Sequence, residues 1–293
     1  FALVSSLGLL LGVLGTFWQT WEAKRSRDQS RNRLADARRL TQVSIGPLTE
    51  ALEALPRSVE VRQALTVQSV DRLDSFVRMN PNDSRARLDL AQASLKLAKA
   101  AGSPAAGSNR DVKLALDNFA RAYRLANVQA SDLKRDKEAL ELLAQISCAQ
   151  GEFFFELGDV PRARQESEQA VSLFERLISR NISDLGLLEH ASGCYASLSK
   201  SWSSKEIVNQ EEGAALRRSY ELEGFLTRLA PREVRHRQNH AVATIRLADW
   251  MERTGSPGAG RLYEEGLRSL DTTGSPLDPA LSNLKAQLQN KLD

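Results

Sequence analysis

Beyond residue 58, apolar positions recur every three or four residues, in blocks separated by Gly, Pro, Asn and Asp. That period puts the apolar residues of each block on one face of a helix. No stretch alternates β-branched and polar residues with the period of a strand. The fold class predicted is all-α. Val59 to Met79 reads as one helix, and Asn80-Pro81-Asn82-Asp83 closes it and starts the next. Residues 22–55 also read as helical, broken at Gly46-Pro47, and Leu55-Pro56-Arg57-Ser58 marks a turn.

The blocks repeat. In GEFFFELGDVPRARQESEQA, Gly151 is followed by Phe154, Gly158, Ala163 and Ala170 at +3, +7, +12 and +19. This is the tetratricopeptide spacing: a small residue and an aromatic in one helix, a glycine turn, then small residues in the next. Small side chains let two antiparallel helices approach closely, and the aromatic fills the gap to the neighbouring pair. Pro161 suits the first turn of the second helix, where no N–H is needed. An earlier unit has Leu90, Ala91 and Leu97, then Ala115, Phe119 and Ala122 across a loop at 101–110 rich in Gly, Ser and Pro. A degenerate third has Tyr195 and Leu198, then Ala215, Ser219 and Leu222. A fourth has Ala248 and Met251, a turn at Gly255-Ser256-Pro257-Gly258, then Ala259, Tyr263 and Gly266. Residues 56–293 are therefore predicted to form a tetratricopeptide-like α-solenoid of about four degenerate repeats, against an irregular helical bundle as the alternative.

The beginning of the chain differs. Ala2 to Trp18 is apolar apart from Ser5, Ser6 and Thr16, and residues 1–21 carry no charge. A membrane helix needs roughly 17–25 such residues. Residues 1–21 are accordingly predicted to be a single transmembrane helix, contacting lipid. Trp18 and Trp21 would sit in the headgroup zone, and Lys24, Arg25 and Arg27 would meet anionic headgroups. Gly8 and Gly12 have the spacing of a helix-packing pair, which leaves room for a homodimer. Residues 22–55 form a basic juxtamembrane linker; within it, residues 22–39 hold seven Lys/Arg and three acids. The remaining residues are nearly balanced, with 33 basic and 34 acidic, so the net charge of +3 is a local patch and no nucleic-acid face is predicted. The first residue is Phe1, and the chain is expected to be cut from something longer.

The order of these parts carries a resemblance. An apolar span, then ARRLTQVSIGPLTEALEALPRSVEVRQALTVQSVDRLDSFVRMNPND, then LDLAQASLKLAKA with its loop, resembles the C-terminal half of a bacterial receptor-like serine/threonine protein kinase. The resemblance covers roughly residues 1–125 and departs from the pattern at GPLTEAL and in the third repeat. It implies a kinase domain upstream, a single-pass plasma (inner) membrane location and a role in signal transduction. ATP and Mg would belong to that upstream domain alone; no cofactor is assigned to this chain. In that family the repeats lie across the membrane from the kinase, whereas the basic flank argues for the cytoplasmic side. Both topologies stay open.

No catalytic residue is assigned. There is no HRD or DFG sequence, GSPGAG at 255–260 lacks phosphate-loop spacing, and Ala230-Pro231-Arg232-Glu233 only approximates APE. His236 and His240 share helical spacing, but Arg237 stands between them, so they are read as solvated and no metal is assigned. Cys148 and Cys194 are read as small apolar residues in helices. A protein or peptide is the expected partner, held by the first helix of each unit. The candidates are Arg85, Gln92, Lys96, Gln145, Glu152, Phe155, Glu156, Asp249 and Arg253. The leading expectation is a non-catalytic interaction region of a signalling kinase; the alternative is a freestanding membrane-anchored scaffold for envelope complexes.

Overall fold

Aspartates open several of the helices. Asp83, Asp159 and Asp184 each accept a hydrogen bond from the backbone N–H three residues on, satisfying a donor that the first turn leaves free. The computed structural model describes residues 59–103, 111–132, 137–203, 209–271 and 279–292. The apolar segment 1–21 and the linker 22–55, with Trp18, Trp21, Lys24, Arg25 and Arg27, lie outside them. Among the described residues no helix is long and apolar enough to cross a membrane.

The chain divides into two compact units, residues 1–72 and 73–293. Of the first, residues 59–72 are described and are helical, as part of α1 (Val59–Met79). The second contains α2 (Ser84–Gly102), α3 (Val112–Asp132), α4 (Lys137–Glu156), α5 (Val160–Ile178) and α6 (Leu185–Trp202). It continues with α7 (Gln210–Leu229), α8 (Val234–Arg253), α9 (Ala259–Asp271) and α10 (Pro279–Leu292). Contacts are densest within α2–α3, α4–α5, α6–α7 and α8–α9, and each pair then packs on the next. This is an all-α solenoid of stacked helix pairs, in which each pair buries its apolar face on its neighbours.

Side-chain size sets the packing. Gly151 on α4 faces α5 so closely that an added Cβ would lie 2.3 Å from Ser167 Oγ and 3.0 Å from the Ala163 carbonyl. Gly158, at φ 81°, makes the left-handed turn between those helices. Phe119 and Phe153 fill the space between the first two pairs, with ring centroids 5.5 Å apart. Phe174 is fully buried with Leu187, Leu188 and Leu226 between the second and third pairs. Burial of a side chain that large contributes about 1.5–3 kcal/mol. The last core joins α8 and α9 through Ala241, Ile245, Tyr263 and Leu270, and Leu288 of α10 covers it.

One expectation is corrected here. His236 and His240 are not solvated. His236 is 4% exposed, and burial pushes the His240 imidazole below its usual range. Beside them Arg235 is exposed and reaches Glu189, while Arg237 is half-buried and donates to the Pro231 carbonyl. Two helix acids are also withdrawn from solvent. Glu212 and Glu223 are buried, and burial raises the Glu223 carboxyl above its usual range against an opposing hydrogen bond from Ser192.

Candidate functional site

The first helices of the pairs, α2, α4, α6 and α8, share one face of the second unit. Polar contacts join them at a near-constant interval along the chain. Between α4 and the start of α6, Lys137 pairs with Asp184 at an offset of 47 residues. Gln145 meets His190 Nδ1 at 3.1 Å and an offset of 45. Ser197 donates to Glu152 Oε1 at 2.7 Å, again at 45. From α6 to α8, Arg235 donates to Glu189 at 3.3 Å and an offset of 46. The partners advance together, so neighbouring first helices run parallel. Between α2 and α4 the interval is 53, for Arg85 and Glu138, because the loop after α2 is longer.

The predicted peptide-facing residues fall on this face in different states. Gln92 and Lys96 are exposed on α2. Arg85, on the same stripe, is engaged by Glu138 and by Asp89 one turn on. Gln145 lies between Glu141 and His190, and Glu152 accepts from Ser197. Phe155 presents an aromatic ring that is 37% exposed.

Two clefts open on the face. One, of about 160 Å³, lies between α2 and α4 and brings Glu152 and Glu156 opposite Lys99 over Phe119 and Phe153. The other, of about 550 Å³, lies among α6, α7 and α8 and brings together Asp249 and Arg253. There Arg253 Nη2 donates to buried Glu212 Oε1 at 2.6 Å, and the Tyr263 hydroxyl contacts Asp249 Oδ1 at 2.7 Å and Glu252 Oε2 at 2.9 Å. Lys200 and Arg246 line the same cleft and are exposed. Asp249 and Arg253 thus meet in one cleft and Glu152 and Glu156 in the other; Gln92, Lys96 and Gln145 line neither.

Sequence reasoning did not single out Lys99, Glu141, His190, Ser197, Lys200 or Arg246. The signal was present as acids, bases and hydroxyls recurring at about 46 residues from one first helix to the next. Electrostatics along the seam support the contacts. The Lys137 ammonium, donating to Asp184, holds that carboxyl below its usual range, and the Leu187 N–H adds to the effect. Off the face, Arg218 grips Glu175 with two N–H donors at 2.8 and 3.0 Å, and the Tyr195 hydroxyl donates to the same carboxylate at 3.0 Å. That cluster ties α5, α6 and α7 together, and burial with the Glu175 charge pushes the Tyr195 phenol up. Among the described residues no group of three or more His, Cys, Asp and Glu has the placement of a metal site.

No family profile matches the sequence, and no curated protein matches it. Among solved structures the chain is similar to a thermophilic TPR protein of Thermus thermophilus. The identity is 17% over 68% of this chain and 99% of that one, with a TM-score of 0.31. It is also similar to the human IFIT1 dimer with PPP-AAAA, at 13% identity over 82% of this chain and 58% of that one, with a TM-score of 0.30. At these scores the description as stacked helix pairs rests on the packing of the chain itself.

Proposed function

We propose that this chain is a non-catalytic docking region that holds a peptide or protein on the face shared by α2, α4, α6 and α8. The observation that supports the reading is the parallel alignment of those helices, with Lys99, Lys200 and Arg246 set among acids in two open clefts. Such an array offers hydrogen bonds and charges at regular spacing to one extended partner, and a few well-placed anchors then supply most of the affinity. The apolar run at 1–21 and the basic run after it support a membrane anchor. The resemblance in residues 1–125 supports attachment to a signalling serine/threonine kinase, where tethering would raise the local concentration of substrate or of a second kinase domain.

The test is a displayed peptide library selected against the chain. Selected peptides are expected to lose at least about tenfold in affinity on Lys99→Glu or Arg246→Glu, the loss of one anchor, and to be indifferent to Arg176→Glu on α5. Peptides that respond to the α5 variant and ignore the other two would refute the reading. The coding sequence upstream of Phe1 tests the kinase attachment separately.

A further inference from the structure

Cys148 lies on α4 and Cys194 on α6, 46 residues apart. That interval is the one at which α4 and α6 meet. Cys148 follows Gln145 by three residues and precedes Glu152 by four. Cys194 follows His190 by four and precedes Ser197 by three. Residues three and four apart share a helix face. Both sulfurs therefore stand in the seam between α4 and α6, bracketed by the Gln145–His190 contact on one side and the Glu152–Ser197 contact on the other.

The packing agrees. Cys194 is buried in the core cluster with Ala144, Ala170 and Ala191, and Cys148 packs against that cluster while half-buried. Both are free thiols. Cys194 Sγ donates to the Ser167 carbonyl of α5 at 4.0 Å, and the neighbouring Cys148 sulfur, followed by burial, holds the Cys194 thiol well above its usual range. Cys194 therefore keeps its proton, and the more accessible Cys148 is the sulfur that an oxidant meets first.

We propose that Cys148 and Cys194 are a redox modification site, closing to an intrachain disulfide that cross-links the first helices of the second and third pairs. The inference stands on the register of α4 and α6 and holds whether or not the face takes a peptide. With hydrogen peroxide as oxidant, the Cys148 thiolate attacks one peroxide oxygen. An S–O bond forms, the O–O bond breaks, and the departing hydroxide takes up a proton to become water. Cys194 then loses its proton as its sulfur attacks the Cys148 sulfenic sulfur. The S–S bond forms, the S–O bond breaks, and a second water leaves. The two thiols give up two electrons in all, and the peroxide is reduced to two waters. Because Cys148 belongs to the stripe that carries Gln145 and Glu152, the cross-link would fix the spacing of α4 and α6 at the centre of the shared face.

The experiment is limited peroxide treatment of the full chain, followed by alkylation of the remaining thiols in denaturant and peptide mapping without reductant. The expected result is the joint loss of both thiols, a mass lower by two hydrogens, and one linked peptide pair containing residues 148 and 194. Dithiothreitol should restore both thiols. In Cys148→Ser, which changes a half-buried position, Cys194 should stay alkylatable over the same exposure. Cys148 advancing to the sulfinic acid while Cys194 remains free would overturn the proposal. So would disulfides that join separate chains.

Discussion

Gly213 and Gly193 allow the same substitution to be made twice with opposite expected signs. Gly213 lies in the first turn of α7 under the Trp250 indole. An added Cβ would stand 2.3 Å from Trp250 Cζ2 and 2.5 Å from Cε2 and Cη2. Carbon atoms pack at about 3.5–4.0 Å, so the ring must move by roughly 1 Å or more. It is not free to do so. Its Nε1 donates to the Asn209 carbonyl at 3.1 Å, and the indole sits in a cluster with Leu216 and Leu247. Overpacking of this kind costs about 1–3 kcal/mol. A strained indole hydrogen bond adds about 1 kcal/mol. Replacing glycine in a helix returns at most about 1 kcal/mol, and less in a first turn. Gly213→Ala should therefore lose about 1–3 kcal/mol net. Gly193, midway along α6, has nothing within 4 Å of its added Cβ. Gly193→Ala should gain up to about 1 kcal/mol. Urea unfolding followed by helical circular dichroism reads both in free energy, and thermal melts should show about 2–4 °C of midpoint shift per kcal/mol for a unit of this size. Equal stabilisation by the two alanines would refute the close approach of α7 to Trp250.

Two titrations follow from buried groups. Burial lowers the folded-state His240 pKa below its unfolded value, against the opposing charge of Glu265. Its contribution to stability is thus whole above the unfolded value and lost as pH falls through and below it; His240→Gln should flatten the melting temperature between about pH 7 and pH 5, the window of histidine titration, and an unchanged slope would count against the buried imidazole. Glu223 has the opposite sign: burial raises its folded pKa, so its ionised form weakens the fold above that pKa. Glu223→Gln can keep the bond from Ser192 Oγ; it should melt higher than the parent at about neutral pH and converge with it as the carboxyl protonates, and a lower melting point at neutral pH would sink the assignment.

The helix pairs were legible because close approach leaves a direct trace in composition. Gly151, Ala163 and Ala170 must be small wherever two helices meet at this distance, so their spacing survives when the rest of a repeat decays. The face was less legible because its contacts join residues about one repeat apart, and their register depends on loop length. The longer loop after α2 moves the Arg85 contact to an interval of 53 where its neighbours keep 45–47. Arg85 lies on the candidate face with its charge engaged by Glu138 and Asp89. The histidines of α8 misled for another reason. Arg235 and Arg237 give that turn a polar composition, but Arg235 is exposed and Arg237 half-buried, while His236 is directed at Glu189 and His240 at Glu265.

The ladder of contacts between first helices has a mechanical consequence. Several of its rungs are charge pairs at the solvent boundary, such as Arg85 with Glu138 and Arg235 with Glu189, whereas the cores beneath them are apolar. Mobile ions weaken exposed pairs over a screening length of about 10 Å at 0.1 M salt and leave apolar burial intact. Rising ionic strength thus slackens the surface stitching while the rods stay folded and seated. The apolar cores keep the rods in place, and the exposed rungs add a small contribution that weakens as salt rises.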